Sequence, residues 1–228
     1  ERGIILKKII LLSIVMITSL LMAKPIVVVS IVPEKIFVTK IAKEMLDVTV
    51  MVAPGNSPHS YEPKSSQMVA LSNADLYLSI GVDFEDVWLP RFKSQNENLK
   101  FVDIAKGIKK RDMCEHASDT KRDAIHTHHG SKDPHTWTSP KNVGIMAKNI
   151  YEELVTIDPV NQQFYQSNLE NFLKEIQDTD AKIKEILRDE KPQSKFMVFH
   201  PSWGYFADAY QLTQRDGVKR WGQTLFRK

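Results

Sequence analysis

The chain of 228 residues has one cysteine, Cys114, which has no partner for an internal disulfide. No cysteine follows the N-terminal apolar run, so attachment through a lipidated terminal cysteine is not expected. An excess of one charge is missing as well. The net charge is +3, and part of it comes from Arg2, Lys7 and Lys8 and from a basic cluster at the far C-terminus. The body is near neutral, which excludes nucleic acid and anionic membrane surfaces as expected partners. Only one long uncharged apolar run is present, residues 9–23, and it falls short of the ~20 residues that a spanning helix needs.

Preceded by three basic residues and followed at Lys24-Pro25 by ordinary mixed sequence, that run has the form of a secretory signal peptide covering 1–23. Its cleavage site after Leu21-Met22-Ala23 is weak, and retention as an anchor is the alternative. Export without paired cysteines fits a soluble protein of a bacterial periplasm. Cys114 is read as a partly exposed thiol, with soft metal ligation beside His116 as the competing role. Removing the leader leaves about 205 residues, one large or two small domains.

The mature chain starts with the β-branched run Pro25-Ile26-Val27-Val28-Val29-Ser30-Ile31, the pattern of a strand covered on both faces in a parallel sheet. Pro33 opens a helix with Ile36, Val38, Ile41, Met45 and Leu46, and residues 48–52 read as a second strand. A helix over about 64–72, a strand over 76–80, a helix over 84–92 and a strand over 99–104 complete a mostly parallel α/β lobe spanning 24–157. Within it, residues 105–132 have no apolar period and form a polar, histidine-rich loop. Ser139 and Pro140 begin a helix with Val143, Met146, Ala147, Ile150 and Leu154 inward. A linking helix is expected over 158–190, with Phe164, Phe172, Ile176, Ile183 and Leu187 on one side; ~30 residues at ~1.5 Å each span ~45 Å. Residues 191–212 read as the first strand and helix of a second lobe. From Thr213 to Lys228 no helix or strand period is visible, and this tail is expected to lie outside the fold.

Seven histidines are present, and three of them stand beside proline: His59 in Ser57-Pro58-His59-Ser60-Tyr61-Glu62-Pro63, His135 in Asp133-Pro134-His135-Thr136-Trp137, and His200 in Phe199-His200-Pro201-Ser202-Trp203. Rigid neighbours can hold an imidazole in place before a metal arrives. Three neutral imidazoles suit Zn²⁺, leaving one tetrahedral position for water or a carboxylate. Each of the three follows a predicted strand or opens on the same rim, so a site in a cleft between lobes is expected. The loop histidines His116, His126, His128 and His129 are auxiliary candidates for extra ions; the bland reading of that loop is a solvated insertion. Glu62 is a candidate fourth ligand, but its place before Pro63 better suits a loop-to-helix cap.

From Pro25 to about Leu212 the chain resembles the periplasmic substrate-binding proteins of metal ABC transporters, in particular the zinc-uptake type. The resemblance rests on Ala53-Pro54-Gly55-Asn56-Ser57-Pro58-His59-Ser60-Tyr61-Glu62-Pro63, on Asp133-Pro134-His135-Thr136-Trp137, on the long helix, and on Phe199-His200-Pro201-Ser202-Trp203-Gly204-Tyr205-Phe206. It implies two α/β lobes joined by a rigid helix, with the second lobe truncated in this sequence. It also implies a metal held by His59, His135 and His200, and delivery of the ion by a monomeric carrier to an ABC permease in the inner membrane. Manganese members of that family resemble this chain but carry a carboxylate at the place of His200, so His200 argues for zinc. A manganese-binding, adhesin-like or metal-storage role on the same fold is the alternative. A zinc hydrolase is the third reading; it lacks a His-Glu-x-x-His pair, and no carboxylate is expected beside a metal histidine as general base. The chain is therefore not expected to be an enzyme.

Overall fold

A computed structural model describes residues 24–58, 61–113 and 132–216. The expected leader 1–23, His59, Cys114, the loop histidines His116, His126, His128 and His129, and residues 217–228 lie outside the described residues.

The fold is built on β1 (Ile26–Ile31), whose Val27, Val28 and Val29 are wholly buried because both faces of the strand are covered. Beside it lie β2 (Asp47–Val52) and β3 (Leu76–Ser79), with β4 (Lys100–Asp103) beyond β3; the order β2-β1-β3-β4 is parallel throughout. The chain leaves β1 to one side for β2 and crosses to the other for β3. The carboxyl ends of β1 and β3 therefore flank the reversal point where ligands bind in open parallel sheets.

Of the helices, α1 (Val32–Ala42) carries Pro33 in its first turn, where the missing N–H goes unused. It packs against α4 (Pro140–Ile157) and α5 (Gln162–Ile186), whereas α2 (Ser65–Ser72) touches α3 (Asp83–Gln95). The five apolar positions expected on α4, Val143, Met146, Ala147, Ile150 and Leu154, are its buried ones. On α5 the inward residues are Tyr165, Leu169 and Phe172, and Phe164 is 37% exposed. Phe172 meets Phe37 of α1 with ring centroids 5.9 Å apart.

The helix α5 is shorter than expected. A 3₁₀ turn, Pro159–Asn161, precedes it, with Asp158 accepting hydrogen bonds from the Asn161 amide (2.8 Å) and the Tyr165 hydroxyl. At the other end, Arg188 N–H reaches Glu185 O and Glu190 N–H reaches Leu187 O, three-residue bonds that tighten and end the helix before Pro192. Its 25 residues span ~37 Å at ~1.5 Å each. The cap of α2 also differs from expectation. Glu62 is exposed, and Gln67 Oε1 accepts the Lys64 N–H at 2.9 Å in its stead.

Residues 213–216, expected outside the fold, form β6 (Thr213–Asp216), which pairs in parallel with β5 (Lys195–Val198) across α6 (Gly204–Ala209). The strand needs no apolar alternation because its order comes from backbone pairing and from two side chains: Gln214 Oε1 accepts the Trp203 N–H at 2.8 Å, at the start of α6, and Thr213 Oγ1 donates to Gln193 Oε1 at 2.8 Å. Among the described residues no helix is long and apolar enough to cross a membrane.

Candidate metal centre

His135 is placed by the backbone beyond β4. Asp112 and Lys132 pair in an antiparallel bridge that brings the two ends of the histidine-rich segment together. Asp133 N–H then donates to Arg111 O at 2.9 Å, and Pro134 leads into a 3₁₀ turn, Thr136–Thr138, that precedes α4. His135 is 6% exposed, with Trp137 against its ring at a centroid distance of 5.2 Å.

Asp133 holds this histidine twice. Its Oδ1 accepts the His135 backbone N–H at 3.0 Å and lies 2.7 Å from His135 Nδ1. Since a carboxylate accepts, the proton of this contact belongs to Nδ1, and in the neutral form of such a ring the lone pair stands on Nε2. No carboxylate is expected beside a metal histidine as a general base; Asp133 does stand beside His135, in a different position. It sits on the Nδ1 side, behind the ring, where it orients the imidazole and does not face a bound molecule as a general base would. The signal in the sequence was the Asp-Pro-His spacing itself, since an aspartate readily bonds the backbone two residues on.

His200 comes from the other sheet, two residues after β5, in the bend His200-Pro201-Ser202 where Ser202 N–H donates to His200 O at 2.8 Å. Its Nε2 lies 3.3 Å from His135 Nε2, and the two rings stand nearly edge to face at 74°. Two imidazole nitrogens so placed can share one cation.

Both histidines line a cleft of about 850 Å³ together with Trp137, Phe172 and Trp203. Ser57 and Pro58, the residues just before His59, border the same cleft, and Phe84 N–H donates to Pro58 O at 3.1 Å. Of the three expected ligands, the structure thus brings His135 and His200 together; His59 and the four loop histidines are outside the described residues. Among the described residues no group of three or more His, Cys, Asp or Glu side chains gathers as a complete metal site.

Buried carboxyl groups tie the ends of β1 and β3. Glu34 accepts the Ile31 N–H at 2.9 Å, and Glu85 accepts the N–H groups of Ile80 (3.0 Å) and Gly81 (2.8 Å) and the Ser30 hydroxyl. Burial pushes the Glu34 carboxyl well above the usual range, with the charge of Glu85 adding to the rise; Glu85 is itself raised by burial.

Comparison with known proteins bears on the family and the fold. Residues 27–222 match the model of a family described as zinc-uptake complex component A periplasmic, so the match reaches past β6. The chain is 28% identical to the high-affinity zinc uptake system protein ZnuA of Bacillus subtilis (strain 168), over 78% of this chain and 56% of that protein. It is 27% identical to the manganese ABC transporter substrate-binding lipoprotein PsaA of Streptococcus anginosus, over 82% and 63%. It therefore spans less than two thirds of the length of either relative. A crystal structure of ZnuA superimposes with a TM-score of 0.73 at 39% identity, covering 85% of this chain and 70% of that one. By the extent of the family match and the shared fold, the chain belongs to the family of the periplasmic component A of zinc-uptake complexes.

Proposed function

We propose that this chain is the extracytoplasmic, monomeric metal-binding component of an ABC-type uptake system, that its cargo is Zn²⁺, and that it passes the ion to a membrane permease without chemical turnover. The observation that carries the reading is the 3.3 Å between His135 Nε2 and His200 Nε2. Two nitrogens bound to one tetrahedral Zn²⁺ at ~2.0–2.1 Å stand about 3.3–3.4 Å apart. His59, whose preceding residues border the cleft, is the proposed third ligand. The loop histidines His116, His126, His128 and His129 are proposed as auxiliary capture sites.

Relatives with zinc in their names and relatives with manganese in theirs both resemble the chain. Nitrogen-rich ligation supports zinc, since manganese favours oxygen donors. The Asp133 carboxylate behind His135 is engaged in orienting the ring, which leaves it unsuited to serve as a hydrolase's general base.

The test is native mass spectrometry of the purified chain with zinc and manganese offered together. Retention of one tightly held zinc per chain, without turnover of an ester or peptide probe, is the expected result. Preferential retention of manganese would assign the chain to the manganese carriers, and zinc-dependent turnover would assign it to the hydrolases.

A further inference from the structure

We infer that Tyr205 is a positioning residue that sets the His135–His200 pair at ligand separation before any cation arrives; the inference rests on the metal-binding reading above. Tyr205 is 5% exposed and belongs to α6, five residues after His200. Its hydroxyl donates to Asp133 O at 2.7 Å and accepts the Arg111 N–H at 3.0 Å. One phenol thus joins the β5–α6–β6 unit to the same aspartate whose carboxylate holds the His135 ring.

The clamp is closed from the other side. The Arg111 guanidinium donates to Gly204 O at 2.8 Å, forms an ion pair with Asp208, and lies over the Tyr205 ring at 5.9 Å. Gly204 packs so closely that a Cβ there would stand 2.9 Å from Arg111 Nε and 3.1 Å from Asp133 Oδ2. None of these groups needs to touch the ion. They act by removing relative motion between two backbones that are far apart in sequence. A ligand pair held in this way loses little freedom on binding, which is the physical content of preorganisation.

The experiment uses the full chain with Cys114→Ser and spin labels at the exposed positions Val69 of α2 and Met197 of β5. Pulsed dipolar distances are measured without metal and with zinc, alongside zinc titration. The unsubstituted site is expected to give one narrow distance that zinc does not change. Tyr205→Phe keeps the ring and removes both hydrogen bonds. It is expected to broaden the metal-free distribution, which zinc narrows again, and to weaken zinc binding by about 10-fold at unchanged stoichiometry, as for other partners that orient a ligand. Gly204→Ala raises helix propensity, yet it forces Arg111 and Asp133 apart and should broaden the distribution too.

Metal-free distances in Tyr205→Phe and Gly204→Ala that match the unsubstituted site would overturn the inference, as would a broad distribution in the unsubstituted site itself. Should Tyr205→Phe fail to fold, Gly204→Ala decides. If the unsubstituted chain takes up no zinc, the metal reading fails by itself, and the metal-free distances still judge the clamp.

Discussion

His135 Nε2 and His200 Nε2, 65 residues apart in the chain, stand 3.3 Å from one another. If the pair forms the primary site, His135→Ala and His200→Ala should each weaken zinc binding by at least ~100-fold, beyond the loss seen for partners that only orient a ligand. His128→Ala, in the loop, should change the primary affinity by less than about 3-fold on the same comparison. Competition against a chelator of known strength measures all three. Equal losses would move the main site into the loop.

Asp133 makes a separate prediction. Asp133→Asn keeps an acceptor for the two N–H groups but removes the negative charge behind the His135 ring. Zinc affinity should fall by about 10- to 100-fold while one ion per chain is retained. An unchanged dissociation constant would reduce Asp133 to a local turn residue.

The pH dependence of binding follows from competition at nitrogen. An imidazole binds metal only when unprotonated, so zinc affinity should decline as pH is lowered from 8 to 5. Calorimetry in buffers of different ionisation enthalpy should also register proton release on zinc binding at pH 6. A titration flat from pH 8 to pH 5 would rule out histidine ligation.

Stability should depend on pH in the opposite direction. The Glu34 carboxyl is held above its ordinary range by burial and by Glu85, so the folded state binds that proton more tightly than the unfolded chain. Its contribution to stability is full below the ordinary glutamate value of about 4.3 and is lost as pH rises from there through the raised folded value. Glu34→Gln removes the charge but keeps an acceptor for the Ile31 N–H. Urea unfolding should show the variant gaining about 1 kcal/mol over the parent at pH 8 and little at pH 5, on the scale of a buried polar group relieved of its charge. A variant equally destabilised at both values would show that the carboxyl acts through shape and hydrogen bonding alone.

Much of the first sheet was legible because its signals are local. The run 26–31 is β-branched throughout, and the pattern Val143, Met146, Ala147, Ile150, Leu154 repeats with the helical period. The linking helix was read too long: its polar ends keep a helical composition past the point where three-residue hydrogen bonds close it. β6 was missed because Thr213-Gln214-Arg215-Asp216 has no alternation, and only its neighbour β5 makes it a strand.

The sequence alone singled out the histidines that are proposed to bear the chemistry. Proline beside histidine restricts the backbone at His135 and His200 wherever the rest of the chain goes, and the strand and helix periods place both at element ends. Only the tertiary structure decided that those two imidazoles face one another and that the Tyr205 hydroxyl reaches across 72 residues of chain to Asp133. The division has a plain cause. Backbone preference and periodicity act over a few residues, whereas the meeting of distant side chains depends on how sheets and helices pack, which no short window of sequence contains.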